Sequence, residues 1–156
     1  MTKLRKVDIK MKIKDCMCHE VCVVKPDDKI ADACKLMLNK HIGCVPVCDN
    51  EKKVVGLITD RDVILRSICC EKDVNKTPVS DIMSCNVQCC KPDDDVEYAE
   101  KLMSDMQIRR IPIVEDNKIV GILTIGDLAE NTNISPIELC NTLENICDNH
   151  SKKNAE

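Results

Sequence analysis

Two aspartates close a heptapeptide that occurs twice in the chain, each able to act as a hydrogen-bonding carboxylate at a strand-to-helix corner. Asp62 ends the run Gly56-Leu57-Ile58-Thr59-Asp60-Arg61-Asp62, and Asp127 ends Gly121-Ile122-Leu123-Thr124-Ile125-Gly126-Asp127. Each follows a threonine by three residues, where an apolar strand gives way to a helix. That spacing is first of all a capping box, with threonine as N-cap and aspartate reaching back from the third helical position. The same corner offers unpaired backbone N–H groups and the positive end of a helix, which suits an anion. Both roles can hold at once. The other reactive side chain is cysteine, present 13 times, an odd number that would leave one thiol out of any disulfide framework. Cys16-x-Cys18-His19-x-x-Cys22 carries ligand types of a metal site. His19, His41 and His150 lie apart in sequence from any paired nucleophile, and no Walker-type glycine loop is present, so no enzymatic activity is expected.

Repetition is what makes the corners informative. Lys25-Pro26-Asp27-Asp28 returns as Lys91-Pro92-Asp93-Asp94, and Ala33-x-Lys35-Leu36-Met37 as Ala99-x-Lys101-Leu102-Met103. Ile42 to Pro46 returns as Ile108 to Pro112, and Asp15-x-Met17 as Asp81-x-Met83. The offset is constant through both prolines and falls by one at the glycines, so one hairpin loop is a residue shorter. A single internal duplication fills most of the chain and predicts two half-domains sharing a core. Against that alignment Cys16, Cys18 and Cys22 fall opposite Ile82, Ser84 and Gln88, so cysteine here stands in for small or apolar residues. A thiol- or metal-responsive role for Cys16, Cys18, His19 and Cys22 stays open as the alternative.

Composition narrows the partners. The net charge of −4 argues against nucleic acid, and Tyr98, the only aromatic, provides no stacking platform for bases. No apolar run approaches the length of a membrane span, and no N-terminal apolar signal is seen, so a cytoplasmic protein without a membrane partner is expected. Arginine is scarce. Arg61, Arg66, Arg109 and Arg110, four of the five, lie in or beside the repeated corners and strands.

The elements that must position these residues follow from periodicity. Residues 1–14 form a basic, alternating arm with Leu4, Val7, Ile9, Met11 and Ile13 apolar. Repeat one spans 15–70: a strand at Val21–Val24, then a helix capped by Asp27 or Asp28 and buried on Ile30, Ala33, Cys34 and Met37. A hairpin through Cys44–Cys48 and Val54–Ile58 follows, with Pro46 leaving a gap in its ladder, and a helix from about Asp60 to Ile68 closes the unit. Residues 71–78 read as a linker. Repeat two, 79–131, runs in the same order, with Val96, Ala99, Met103 and Met106 as its stripe. Ser135-Pro136-x-Glu138 opens a last helix over 135–148, apolar at Ile137, Cys140, Leu143, Ile146 and Cys147, ahead of a polar tail at 149–156.

A β-α-β-β-α unit carrying Gly-apolar-x-Thr-x-x-Asp on its last strand, occurring twice, resembles the CBS domain pair, or Bateman module. The resemblance covers residues from about 12 to 130. It implies an α/β (α+β) fold of tandem repeats packed about a pseudo-twofold axis. It also implies a stand-alone regulatory module, without a cofactor of its own, that senses an adenine nucleotide such as AMP or ATP, or an adenosyl compound such as S-adenosylmethionine. By the same resemblance Asp62 and Asp127 would take ribose hydroxyls, and Thr59 and Thr124 ribose or phosphate. Arg109 and Arg110, just before Ile111-Pro112, would grip phosphate as charge-assisted pairs. Val45, Pro46, Ile111 and Pro112 would offer aliphatic contact to the base. Gly43 and Cys44 occupy the places of the two arginines in the first repeat, so one dominant phosphate site is expected, with Asp62 as its ribose partner and Asp127 serving the poorer site. A homodimer pairing through helices is expected too. A structural dimerisation unit with empty clefts is the third reading.

Overall fold

The computed structural model describes residues 10–131 and 133–148; the arm residues Leu4, Val7 and Ile9, His150 and the tail at 149–156 lie outside the described residues. Among the described residues nine helices and strands follow in order: α1 (Ile30–Lys40), β1 (Cys44–Cys48), β2 (Val54–Thr59), α2 (Asp60–Arg66), α3 (Val96–Met106), β3 (Arg110–Glu115), β4 (Lys118–Thr124), α4 (Ile125–Glu130) and α5 (Pro136–Asp148). Three-residue 3-10 turns at Ile13–Asp15, Ile68–Cys70 and Val79–Asp81 punctuate them. The fold is mixed helix and strand with two small sheets, β1–β2 and β3–β4.

Each hairpin is antiparallel with a tight turn. β1 pairs with β2 from Cys44↔Thr59 to Val47↔Gly56, and a bulge after Val47 brings Cys48 opposite Val54. The longer first turn is closed by Asp49, whose Oδ1 accepts the N–H groups of Glu51 and Lys53 at 2.9 Å. The second turn is shorter, with positive φ at both Asp116 and Asn117, the pattern of a two-residue hairpin turn.

The strands expected at Val21–Val24 and Val87–Cys90 reduce to single parallel bridges, Val24↔Val47 and Cys90↔Ile113. Proline explains this. Val24 donates to the Pro46 carbonyl (3.1 Å) and accepts from Cys48 (2.9 Å), but the next rung would need the N–H that Pro46 lacks. Cys90 repeats the pattern with Pro112 and Val114.

The helix starts also differ from expectation. Asp28 does not cap α1; its Oδ2 accepts the Lys25 N–H at 2.7 Å and closes the turn before the helix, as Asp94 does with Lys91. The orphan N–H groups at the start of α1 go instead to backbone, from Ile30 to Thr77 O (3.1 Å) and from Ala31 to Val74 O (3.0 Å). The stretch read as a linker is therefore docked on α1. α2 stops at Arg66, short of the expected Ile68, and passes into the 3-10 turn.

Contacts divide the chain into two compact units, Cys18–Cys90 with Ile111–Ile122, and the described parts of Met1–Met17 with Lys91–Arg110 and Leu123–Glu156. These units do not follow the repeats, because the segment ahead of each repeat docks on the other. In one unit Val79 donates to Asp28 O and Ser80 to Pro26 O, while Leu57 and Ser84 exchange both backbone bonds. In the other, Ile13 donates to Asp94 O, Lys14 to Pro92 O, and Val96 to Met11 O. Ion pairs Lys10–Glu97 (2.9 Å), Lys12–Asp95 (2.7 Å) and Lys14–Asp93 (2.7 Å) line this second dock.

The cores follow the expected stripes in part, and Cys34 of the α1 stripe is only half-buried. Ile30, Ala33 and Met37 of α1 are buried with Val45, Val47, Ile58 and Val79. On α3, Val96, Ala99 and Met103 are buried, but Met106 is exposed and Glu100 is buried in its stead. α5 packs on α3 and turns Ile146 and Thr142 inward, whereas Ile137, Cys140 and Cys147 face outward and Leu143 lies at the margin.

Candidate functional site

Both corners form the capping box in full. Thr59, the N-cap of α2, accepts the Asp62 N–H through Oγ1 (3.1 Å). Asp62 Oδ2 takes both the Thr59 N–H (3.0 Å) and its hydroxyl (2.8 Å). At α4 the distances are 3.1, 2.7 and 2.7 Å for Thr124 and Asp127. Extended backbone at each threonine (φ near −118° and −117°) turns the strand into the helix. One oxygen of each aspartate is thus committed to the fold, and the other decides what the corner can bind.

The corners part at that second oxygen. Arg66, one turn beyond Asp62, places Nη1 3.4 Å from Asp62 Oδ1. The same nitrogen donates to Ile82 O (3.0 Å) and Ser84 Oγ (3.2 Å), so it is anchored from three sides. In the second repeat Asn131 takes the place of Arg66 and turns its amide to Met11. Asp127 Oδ1 has no partner among the described residues. Sequence reasoning placed Arg66 near the corner but missed the pair; the Asp-x-x-x-Arg spacing on one helix face was the signal.

The basic residues reverse the asymmetry. Ile125, at the start of α4, donates to Arg109 O (3.0 Å), so the strand entry carrying Arg109 and Arg110 lies against the Thr124–Asp127 corner. Neither guanidinium makes a hydrogen bond or ion pair among the described residues. In the first repeat the matching bond runs from Asp60 to Gly43 O (3.1 Å), and Gly43 and Cys44 there carry no charge. Arg61 is exposed. One unit therefore combines two uncommitted guanidiniums, a free carboxylate oxygen and a helix N-terminus. Of the aliphatic residues expected to meet a base, Val45 and Ile111 are wholly buried, and Pro46 and Pro112 are buried beside them in their strands.

Gly56 has a reason to be glycine: a Cβ there would sit 2.5 Å from Met83 Sδ and 3.1 Å from Ser84 O. Gly126 meets only Thr124 Oγ1, at 3.4 Å. The cysteine cluster is not drawn together as a ligand set; among the described residues no group of three or more His, Cys, Asp or Glu side chains could hold a metal ion. Cys16 Sγ turns to Ile13 O and Cys18 Sγ to Glu20 O, each at 3.5 Å. Burial, followed by Asp127, pushes the Cys16 thiol up to about 11, so it is not a ready nucleophile. No described helix is long and apolar enough to cross a membrane.

The CBS domain model matches residues 13–68 and again 79–132. The chain belongs to the CBS domain family. The CBS pair is a regulatory module, and its two copies here are the two repeats read from the sequence. The chain is 40% identical over 119 residues to the CBS domain-containing protein YhcV of Bacillus subtilis, covering 76% of this chain and 84% of that one. It is similar to a solved conserved CBS domain protein of Thermoplasma acidophilum at TM-score 0.76 and 26% identity, with 88% and 76% of the two chains covered. A CBS domain pair solved in complex with 5′-methylthioadenosine and S-adenosyl-L-methionine matches at TM-score 0.68 and 28% identity, over 77% of this chain and 94% of that one.

Proposed function

We propose that this CBS pair is a non-enzymatic sensor that takes up a phosphorylated adenosine at the Thr124–Asp127 corner. The observation that carries the reading is the conjunction there of a free aspartate oxygen and two uncommitted arginines. Asp127 Oδ1 is placed to accept a ribose hydroxyl, and Arg109 and Arg110 to hold phosphate beside the start of α4. This reassigns the ribose acceptor of the phosphate site from Asp62, whose second oxygen faces Arg66, to Asp127. Thr59 and Asp62 would then serve the weaker site, better suited to an uncharged adenosyl group. The relative solved with 5′-methylthioadenosine and S-adenosyl-L-methionine supports the adenosyl class.

A thermal-shift panel of AMP, ADP, ATP and S-adenosylmethionine, run with chelator and reductant, tests this. Ligand at about a hundred times its Kd contributes roughly 2.7 kcal/mol, a rise of several degrees at about 2–4 °C per kcal/mol. A flat panel overturns the reading. We further infer that the module pairs with a second copy of itself through helices. Leu38 of α1, Ile64 and Leu65 of α2 and Ile68 beyond it are 46–73% exposed, an apolar face that association would cover. Light scattering at micromolar concentration should give twice the chain mass, and a monomer would remove this part.

A further inference from the structure

α3 buries a charge that no nucleotide site requires. Glu100 is 8% exposed, and its Oε1 has no hydrogen-bond partner. At the matching position of the first repeat stands Cys34, which needs none. The cover over Glu100 is α5, which packs on α3 with Thr142 and Ile146 buried at 6% and 1%.

Among the described residues, the groups around Glu100 supply no counter-charge. From α5 comes Glu138, and from the preceding turn of α3 comes Glu97. From the segment ahead of the first repeat comes the Cys16 thiol, itself beside Asp127 of α4 and Asp15. The Lys10 ammonium is taken up by Glu97 at 2.9 Å and Asp95 at 3.8 Å. α5 has neither lysine nor arginine along its length, but holds Glu138 and Glu144. An ionised carboxylate under this helix would be buried with no compensating charge among the described residues.

We propose that α5 is a proton-gated cover, lying on α3 while Glu100 is a neutral carboxylic acid and lifting when Glu100 ionises against Glu138. Burial first, then Glu138 and Glu97, raise the docked Glu100 above the ordinary glutamate value. Docked Glu100 thus holds its proton to higher pH than undocked Glu100. Docking is strongest below the ordinary glutamate value, weakens as pH rises toward the docked value, and levels off above it. Each unit of difference between the two values weakens docking about tenfold at the upper plateau.

The test is methyl and amide NMR of the full chain from pH 4.5 to 8.5. The Ile146 methyl and Thr142 amide report docking, with the Ile30 methyl as a control in the other unit. In the wild type, the Ile146 and Thr142 signals should move toward undocked positions as pH rises, while Ile30 stays. Glu100→Gln should hold them docked across the range, and Glu138→Gln should lower the midpoint and shrink the change. Glu100→Cys, which copies the first repeat, keeps the experiment open should the amide be poorly accommodated. A wild-type helix that stays docked at every pH, or a transition unchanged in both Glu100 variants, overturns the proposal.

Discussion

The two Thr-x-x-Asp corners are built alike and neighboured differently. Both spend one aspartate oxygen on the same capping box, within a few tenths of an ångström. At the first, Arg66 closes on the remaining oxygen; at the second, Asn131 does not, and Arg109 enters beside the helix start instead. A duplicated motif therefore keeps its structural role wherever it stands, while its binding capacity is set by residues outside the motif. The capping box is the constant, and the cations are the variable.

The comparison can be broken most sharply at the clamp. Arg110→Ala should weaken AMP by about 1.5–3 kcal/mol, the worth of a hydrogen bond to a charged group. Adenosine should be barely affected, as calorimetry with both ligands would show. Equal losses for the two would mean that Arg110 does not meet phosphate. A drop in AMP affinity with added salt should accompany the wild type and be smaller in the variant.

The aspartates come next. Asp127→Asn should cost AMP about 1.5–3 kcal/mol, and Asp62→Asn much less, while both lose about 1 kcal/mol of stability from the weakened cap. Titration beside melts of each variant separates the terms. The larger affinity loss at Asp62 would return the ribose to the first corner. Thr59→Ala and Thr124→Ala should each lower stability by about 1 kcal/mol, and a clear inequality would show that one corner is not held by its cap. Arg66→Ala is the smaller perturbation, since half-exposed ion pairs contribute about 0–1 kcal/mol. It should nonetheless free Asp62 and improve adenosine binding at the weaker site.

The smallest effect distinguishes the two docks of the exchanged segments. Among the described residues, four ion pairs from Lys10, Lys12 and Lys14 to Asp93, Asp95 and Glu97 line one dock, whereas the other rests on Val79, which is fully buried. Hydrogen bonding from Lys14 and Lys12 lowers the folded pKa of Asp93 and Asp95. Their contribution is present above the ordinary aspartate value and is lost as pH falls through the lowered one. Amide protection factors at Ile13 and Val96 should therefore fall in acid or high salt, with those at Val79 and Ile30 unchanged.

Much of this was legible in the residues. The duplication located both corners, the hairpins and the α1 and α3 stripes, because each depends on local periodicity. Pro46 and Pro112 announced the gap in each ladder, though not that the gap would shorten the neighbouring strand to one bridge. Long-range pairing was not legible: nothing in Met11 or Thr77 says which helix start will accept their carbonyls as caps. Asp28 and Asp94 misled because the turn Lys-Pro-Asp-Asp competes for the same carboxylate. Glu100 was missed, although it stands one turn after Val96 and opposite Cys34 of the first stripe. α5 was ambiguous because apolar residues occupy two adjoining faces, and periodicity cannot choose between Ile146 and Ile137.

The exchanged segments bear on how the chain is made. Ile13 must find Asp94, and Cys18 must find Ile122, so these residues wait for their partners until most of the repeat pair has been synthesised. Neither repeat is a finished piece during synthesis. Closing such long loops adds only about 0.6 kcal/mol per doubling of length, so the burden falls on speed rather than final stability. Chains dominated by distant contacts fold slowly. A fragment ending before the second repeat would keep the apolar seat of Val79 unfilled, and would meet that need from another fragment before it met it alone.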